Sequence, residues 1–392
     1  MSQVDAGMTI ADRLALLHQT GGNTDMGKLL RTFWHPVTLS RELPPGRARA
    51  CKFLGEALTV YRGESGKPFL VAGHCPHRLT VLHTGWVEGD ELRCMYHGWK
   101  FNGGGRCTEA PAEGDATAAK IRIVSYPVHE YAGMIFAYLG PLPAPEFSLL
   151  RKDVFERPDG LLFARREQWP CNWFQQVENS MDAVHVSFAH RAGIVGNFGK
   201  AVTGAVPLLE YIENDAGIRQ IATRGPGNVR VSDWTYPNAN HIVVPGVHAG
   251  DPWIDVGHWI IANDDHTSTR MMIYSIPSTT PEADERIRRY FAEFGDYNPA
   301  DHHDELIHEG KYPEDILLQL TSAQDYVAGV GQGVIADRTR ERLGKSDVGI
   351  ALLRRICWRE MDAIREGRPT KAWTRLRQSS ELPIQNPEAI AG

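Results

Sequence analysis

Residues 74–78 read His-Cys-Pro-His-Arg, and residues 94–99 read Cys-Met-Tyr-His-Gly-Trp. Each stretch supplies one Cys and one His, as Cys75-x-His77 and Cys94-x-x-His97, with sixteen residues between the pairs. Gly89-Asp90 between them suits a hairpin turn, so two tight loops at hairpin tips can converge on one site. Around them, from Trp34 to about Leu139, short apolar runs alternate with turn residues, as in KFLG, LTVYRG, PFLVAG and MIFAYLG. That texture predicts sheet. Upstream, Ile10, Leu14 and Leu17, then Met26, Leu29, Leu30 and Phe33, fall at helical spacing on either side of Gly21-Gly22-Asn23. Downstream, Pro141, Pro143 and Pro145 mark a domain boundary.

Two Cys and two His make a metal site the first reading. Zinc fingers commonly pair Cys with Cys and His with His. One Cys and one His per loop suits a Rieske [2Fe–2S] cluster instead, in which each loop gives a thiolate to one iron and an imidazole to the other. His74 and His83 lie outside the pattern. Cys51, Cys107, Cys171 and Cys357 read as ordinary buried thiols.

A second constellation spans residues 178–190, Glu-Asn-Ser-Met-Asp-Ala-Val-His-Val-Ser-Phe-Ala-His. Phe174, Val177, Met181, Val184 and Phe188 predict a helix over about 172–189. Asp182 and His185 are three apart and share a face. His190 lies five beyond His185, about 140° around a regular helix. Both imidazoles can reach one ion only if the helix ends or deforms between them. Two His and a carboxylate form the facial triad of non-haem Fe(II) oxygenases. Residues 205–276 again read as strands, and helix returns from Pro281. Ile350, Leu353, Cys357, Met361 and Ile364 form one helical face, with Ser346 or Asp347 as cap and Gly367-Arg368-Pro369 as stop.

Other classes are excluded. Among 392 residues, 42 basic against 48 acidic side chains argue against a nucleic-acid or polybasic membrane surface. No apolar run approaches the roughly 20 residues that cross a bilayer. No signal peptide is evident, and six cysteines are too few for a disulfide scaffold, so a cytoplasmic location is expected. Gly329, Gly331 and Gly333 lack the final glycine of a dinucleotide fingerprint, and Gly344-Lys345-Ser346 lacks the upstream glycine of a phosphate loop. His303 and His308 are five apart and are not expected to share a helical face, so that stretch reads as an acidic loop.

The two constellations together resemble the Rieske non-haem iron oxygenases, specifically their large oxygenase subunit. The likeness runs from Cys75-x-His77 and Cys94-x-x-His97-Gly98-Trp99 through Asn179-x-x-Asp182-x-x-His185-x4-His190 to an acidic residue far downstream. Trp34-His35-Pro36-Val37, Tyr96 to Phe101 and Asp337-Arg338-Thr339 look like the phthalate dioxygenase-like branch, which includes O-demethylating members. The resemblance implies an α+β fold with a small antiparallel Rieske domain over 38–144. It also implies a larger helix-grip (START-like) catalytic domain with an antiparallel sheet over 145–392. Residues 1–37 would be N-terminal helices packed on the catalytic domain.

The same resemblance implies His185 and His190 as iron ligands and an Asp on a C-terminal helix as the third. Asp325 matches that place; Asp337 and Asp315 are its rivals. Asp182 would bridge an iron histidine to a Rieske histidine of a neighbouring subunit, and Asn179 would lie close to the iron. One [2Fe–2S] cluster and one mononuclear Fe(II) per subunit, a head-to-tail homotrimer and a separate reductase follow, the reductase a flavin and Fe–S protein working with or without a ferredoxin. The reaction implied is NAD(P)H-dependent use of O2 to dihydroxylate, hydroxylate or O-demethylate an aromatic, optionally carboxylated, substrate. The alternatives are a Rieske electron carrier with a ligand-binding second domain, and a zinc-binding ligand receptor. Strands 205–276 would line the pocket, with His241, Trp253, Trp259 and Met272 as wall candidates. Arg191 or Arg224 could bind a carboxylate, against the ordinary alternative of surface arginines.

Overall fold

The computed structural model describes residues 8–148, 152–191, 205–244, 246, 248, 250–295, 297–313 and 317–373. They fall into two compact units, one of Thr20–Asn23 and Gly27–Phe147, the other of Met1–Gln19, Thr24–Met26 and Ser148–Gly392. The N-terminal helices, expected to pack together on the larger unit, part company. Ile10–Leu16 belongs to the larger unit, where Arg13 pairs with Asp362 at 3.0 Å and accepts a hydrogen bond from Trp358 Nε1 on its carbonyl at 2.8 Å. Most of Asp25–Arg31 belongs to the smaller unit, which therefore begins ahead of residue 38.

The smaller unit is built from β1 (Trp34–Leu39), β2 (Arg47–Phe53), β3 (Glu56–Arg62), β4 (Pro68–Ala72), β5 (Trp86–Glu88), β6 (Glu91–Arg93), β7 (Lys100–Asn102), β8 (Cys107–Glu109), β9 (Ser125–Tyr126), β10 (Val128–Tyr131) and β11 (Met134–Tyr138). They form three antiparallel sheets, ordered β1-β11-β10, β2-β3-β4-β9 and β5-β6-β7-β8. The two cluster loops leave the sheets at neighbouring points, one between β4 and β5, the other between β6 and β7. Gly89, with φ +60°, turns the β5–β6 hairpin as its sequence suggested. Tyr61, Val71, Leu82, Leu92 and Phe101 are buried and pack with Cys75 and Cys94, so the loop bases are part of the core.

The larger unit carries a seven-stranded antiparallel sheet of β12 (Gly160–Trp169), β13 (Leu208–Glu213), β14 (Gly217–Thr223), β15 (Val229–Thr235), β16 (Ala239–Val244), β17 (Ile254–Ala262) and β18 (Ser268–Pro277). Its order is β12-β18-β17-β16-β15-β14-β13, a meander closed by pairing its first strand with its last. Helices cover this sheet, giving the α+β architecture expected. Thr280 caps Pro281–Phe294 by accepting from Ala283 N–H at 3.2 Å. That helix buries Ile287, Phe291 and Phe294 against Val256, Met272 and Tyr274. Each such burial is worth about 1.5–3 kcal/mol.

The helix Leu317–Val330 packs Ala323, Tyr326 and Val330 onto Trp169 and Cys171. Val348–Arg365 ends in a Schellman motif. Gly367 N–H donates to Ile364 O at 3.2 Å and Arg368 N–H to Ala363 O at 2.8 Å, with Gly367 at φ +67° and Pro369 beyond. Asp347 occupies the N-cap position, but its carboxylate accepts from Gly344 N–H at 2.6 Å and closes the preceding turn instead of capping the helix.

Candidate functional site

In the smaller unit the two loops share one backbone design. Cys75 N–H donates to Thr80 O at 2.9 Å and Leu79 N–H to Cys75 O at 2.9 Å. Cys94 N–H donates to Trp99 O at 2.8 Å and Gly98 N–H to Cys94 O at 3.1 Å. The fifth residue of each loop takes a left-handed conformation, Leu79 at φ +58° and Gly98 at φ +73°. Two equivalent turns thus present Cys at the first position of each, with His at the third position of one and the fourth of the other. The buried Cys75 and Cys94 thiols lie against each other, and burial, then Cys94, pushes the Cys75 thiol up to about 12. A cation is what such a pair needs to ionise.

His77 and His97 meet with ring centroids 4.4 Å apart. Trp99 stacks flat on His77 at 4.6 Å and fixes its plane. His77 Nδ1 is buried with no hydrogen-bond partner among the described residues, as a ring nitrogen reserved for a metal would be. Burial, then the neighbouring His77 and Arg78, lowers the pKa of His97 and favours the neutral, ligating imidazole. The donor set fits a [2Fe–2S] cluster.

In the larger unit the helix expected over 172–189 is two helices. Asn172 starts the first, Trp173–Met181, by accepting from Phe174 N–H at 3.0 Å. Asp182 ends it: its backbone leaves the helical region at φ −91°, ψ 118°, and its Oδ1 accepts from Val184 N–H at 2.7 Å. Short acidic side chains compete with the helix ladder in this way. A single turn, His185–Phe188, follows and stops before His190. The chain is thus free of the helical phase that would have held the imidazoles apart.

Both imidazoles turn to the helix Leu317–Val330. His185 Nε2 is 3.5 Å and His190 Nε2 3.2 Å from Asp325 Oδ1. One donor atom from each of the three residues falls within 4.8 Å of the others. His190 Nδ1 pairs with Gln324 Oε1 at 3.0 Å, which leaves Nε2 as the ligating nitrogen. Asn179 Nδ2 donates to Asp325 Oδ1 at 3.0 Å and Arg270 Nη1 to Oδ2 at 3.1 Å. Burial opposes ionisation of Asp325, but His190, His185 and Arg270 outweigh it and hold the carboxyl well below its usual range. Burial likewise opposes the His190 imidazolium, and Asp325 outweighs it and raises that pKa. Two neutral-capable imidazoles and an ionised carboxylate fit a divalent cation of the Fe(II) type.

The other expectations divide. Asp337 caps its own turn, accepting from Thr339 N–H at 3.2 Å, away from the histidines; Asp315 lies outside the described residues. Asp182 Oδ2 stands 3.9 Å from His185 Nδ1, too far for a hydrogen bond, and that nitrogen has no partner among the described residues. The metal trio opens on a cavity of ≈ 170 Å³ lined also by Asn179, His258, Met272, Tyr274, Arg224 and Arg230. Of the wall candidates only Met272 lines it. Trp253 is not among the lining residues, Trp259 is core, and His241 pairs with Asp255 at 2.9 Å. Arg191 is exposed. Sequence reasoning missed Gln324, Arg270, His258 and Arg230, because a lone residue in a strand or helix carries no spacing signal. His303 and His308 do face each other, with ring centroids 5.7 Å apart, where Asp304–His308 winds as a wider π turn closed by Glu309 N–H donating to Asp304 O at 3.2 Å.

A Rieske [2Fe-2S] domain model matches residues 33–127. The chain is 32% identical to the 5,5'-dehydrodivanillate O-demethylase oxygenase subunit of Sphingobium sp. (strain NBRC 103272 / SYK-6), over 98% of this chain and 88% of that protein. It is 29% identical to the phthalate 4,5-dioxygenase oxygenase subunit of Pseudomonas putida, over 90% of this chain and 86% of that protein. Among solved structures, NdmA of Pseudomonas putida CBB5, as its QL mutant with caffeine, shares the fold with a TM-score of 0.66 at 20% identity, over 89% of this chain and 96% of that one.

Proposed function

Because this chain belongs to the Rieske non-haem iron oxygenases, as an oxygenase subunit of their phthalate dioxygenase-like branch, we propose that His185, His190 and Asp325 hold its catalytic iron and that Cys75, His77, Cys94 and His97 hold its [2Fe–2S] cluster. The observation that carries this assignment is the convergence of two Nε2 atoms and one carboxylate oxygen at the wall of a cavity. The enzyme is an oxygenase component that uses O2, one Rieske cluster and one mononuclear iron, with electrons from a partner redox component. When bound, the iron supplies the place where O2 is activated by electrons arriving through the cluster.

The chain's own groups do the rest. Gln324 holds the His190 tautomer, and Asn179 and Arg270 hold one oxygen each of Asp325. Val256, Ile260, Met272 and Tyr274 give the cavity apolar walls that exclude water from a bound ring. Its volume of ≈ 170 Å³ suits a single ring, since a dry cavity of about 150 Å³ takes up benzene. We place the substrate among small aromatic compounds, the class to which phthalate belongs. Dihydroxylation, hydroxylation and O-demethylation are the outcomes open to such a site. An electron carrier with a merely ligand-binding second unit does not account for two imidazoles and a carboxylate facing one point.

The proposal extends to a head-to-tail homotrimer in the cytoplasm, served by an NAD(P)H-oxidising flavin and Fe–S reductase. Leu79, Met95 and Tyr96 on the cluster loops are exposed apolar side chains of the kind a docked protein covers. In that trimer Asp182 faces a Rieske histidine of the neighbouring subunit and couples the two centres. The test is His185→Ala, His190→Ala and Asp325→Ala. Each loses the mononuclear iron and product formation while the cluster spectrum stays. Full activity in Asp325→Ala refutes the third ligand.

A further inference from the structure

The stretch His303-Asp304-Glu305-Leu306-Ile307-His308 takes no part in the oxygenase site, yet it gathers a second set of ligating side chains. One donor atom each from His303, Asp304 and His308 falls within 4.8 Å of the others. His308 Nε2 stands 3.8 Å from Asp304 Oδ1, beyond a hydrogen bond. An ion bonded to each atom at about 2.0–2.2 Å spans that separation. Residues 301–309 hold four acidic side chains and no Lys or Arg, so the segment carries an excess of negative charge that a cation would offset. Glu305 stands 3.7 Å from His302 and is not one of the trio.

The winding of the chain brings the three together. In an α-helix His303 and His308 would stand about 140° apart. The π turn Asp304–His308, closed by Glu309 N–H on Asp304 O at 3.2 Å, instead sets their rings 5.7 Å apart at 81°. Single π turns of this kind are frequent at functional sites. The turn has an inner side, where buried Leu306 packs with Trp169, Ala323 and Tyr326. Tyr326 Oη pairs with His303 Nδ1 at 2.8 Å, which fixes the ring and leaves Nε2 to face a cation. A hydroxyl can accept the Nδ1–H that a metal-bound imidazole carries, so the pairing survives ligation. Tyr326 adjoins Asp325 on the helix Leu317–Val330, and the π turn is thereby braced on the helix that bears the third iron ligand.

We propose that His303, Asp304 and His308 form a further metal site, sharing no residue with the iron trio, that takes Zn2+ and clamps the π turn onto the helix Leu317–Val330. Two imidazoles and one carboxylate, with water in the fourth position, are a donor set that Zn2+ accepts. The same set disfavours Mg2+ and Ca2+, which take oxygen ligands. His303 is half-buried while Asp304 and His308 are exposed, so the ion enters directly from solvent and exchanges with it. Binding holds His308 to His303 and thereby keeps the turn in the winding that buries Leu306.

The experiment is calorimetric titration of zinc chloride into tag-free protein that carries its cluster and its iron, with metal content counted after gel filtration. The parent takes up one zinc per chain while its iron count stays unchanged, and magnesium or calcium chloride gives no binding heat. His308→Ala loses that zinc. His308 is exposed, so this variant keeps the parent's melting temperature in the absence of zinc. Tyr326→Phe leaves all three ligands in place and weakens zinc binding about tenfold to a hundredfold, the usual effect of removing a group that orients a ligating imidazole. Zinc at a hundredfold over its dissociation constant raises the parent's melting temperature by about 5 °C and leaves that of His308→Ala where it was. No zinc bound by the iron-loaded parent, or equal zinc in the parent and His308→Ala, overturns the site. Zinc lost with His308 but without any rise in the parent's melting temperature overturns the clamp.

Discussion

Glu178 sits on the helix that carries Asn179, and it ties that helix to two other parts of the larger unit. Its Oε2 accepts from Arg338 Nη2 at 2.7 Å and its Oε1 from Arg354 Nε at 2.7 Å. The side chains are 12%, 2% and 6% exposed respectively, so this network is nearly dry. Breaking a buried pair from one side costs about 3–5 kcal/mol, because the surviving charge stays buried. Glu341, 2.8 Å from Arg354, takes up part of the imbalance. Glu178→Gln should therefore cost about 3 kcal/mol, the low end of that range. For a unit of this size the loss lowers the melting temperature by about 6–12 °C.

Urea unfolding followed by tryptophan fluorescence reports the loss mainly in the larger unit, which holds seven of the ten tryptophans, while cluster absorbance follows the smaller one. The fluorescence midpoint should fall and the cluster midpoint should hold. Replacing Glu178, Arg338 and Arg354 together by apolar residues of similar volume should recover most of the loss, as it does for other buried ion networks. A shift under about 0.5 kcal/mol, the ordinary value for a surface substitution, would refute the reasoning.

Three further outcomes are expected. Cys75→Ser or His97→Ala should abolish the low-g EPR signal of the reduced cluster, and a colourless parent protein holding stoichiometric zinc would refute the assignment. Burial, then Arg270, lowers His258 to about 3 from an ordinary 6.5, so as pH falls the unfolded chain takes up that proton first. Its contribution to stability is full above 6.5 and declines toward about 3, by up to about 1.4 kcal/mol per pH unit. His258→Leu should flatten that acid limb in urea midpoints at pH 7, 6 and 5; an unchanged slope counts against it. Asp182→Asn should keep cluster and iron but leave the reduced cluster reduced in a single turnover. Oδ1 is committed to Val184 N–H, and the amide then offers a donor where an imidazole donor needs an acceptor. Normal reoxidation coupled to product would make Asp182 a turn-forming residue only.

How much of this was legible in the sequence depends on whether the chemistry sits at close spacing. Cys75, His77, Cys94 and His97 lie in two short loops, and their pattern carries the cluster reading before any fold is known. His185 and His190 were legible as a pair, but the shape of their segment was not. Apolar periodicity ran on through Asp182, while the carboxylate's bond to Val184 N–H broke the helix there. A local change of backbone winding hid the facing of His303 and His308. A spacing of five excludes a shared face in an α-helix but creates one in the π turn the chain adopts.

Asp325 is a further case, 135 residues beyond His190 and joined to it only by tertiary structure. There the family resemblance picked the position, and the geometry now sets Asp325 beside the two histidines while Asp337 caps its own turn. Arg230 and Gln324 had no such guide. A single arginine in a strand is ordinary until its neighbours are known, because what singles it out is the absence of a partner. Among the described residues that absence is a property of the packed cavity, where Arg165 and Arg270 each meet a carboxylate and Arg224 and Arg230 meet none. Groups that hold the metals leave a pattern in the chain, since several must converge on one ion.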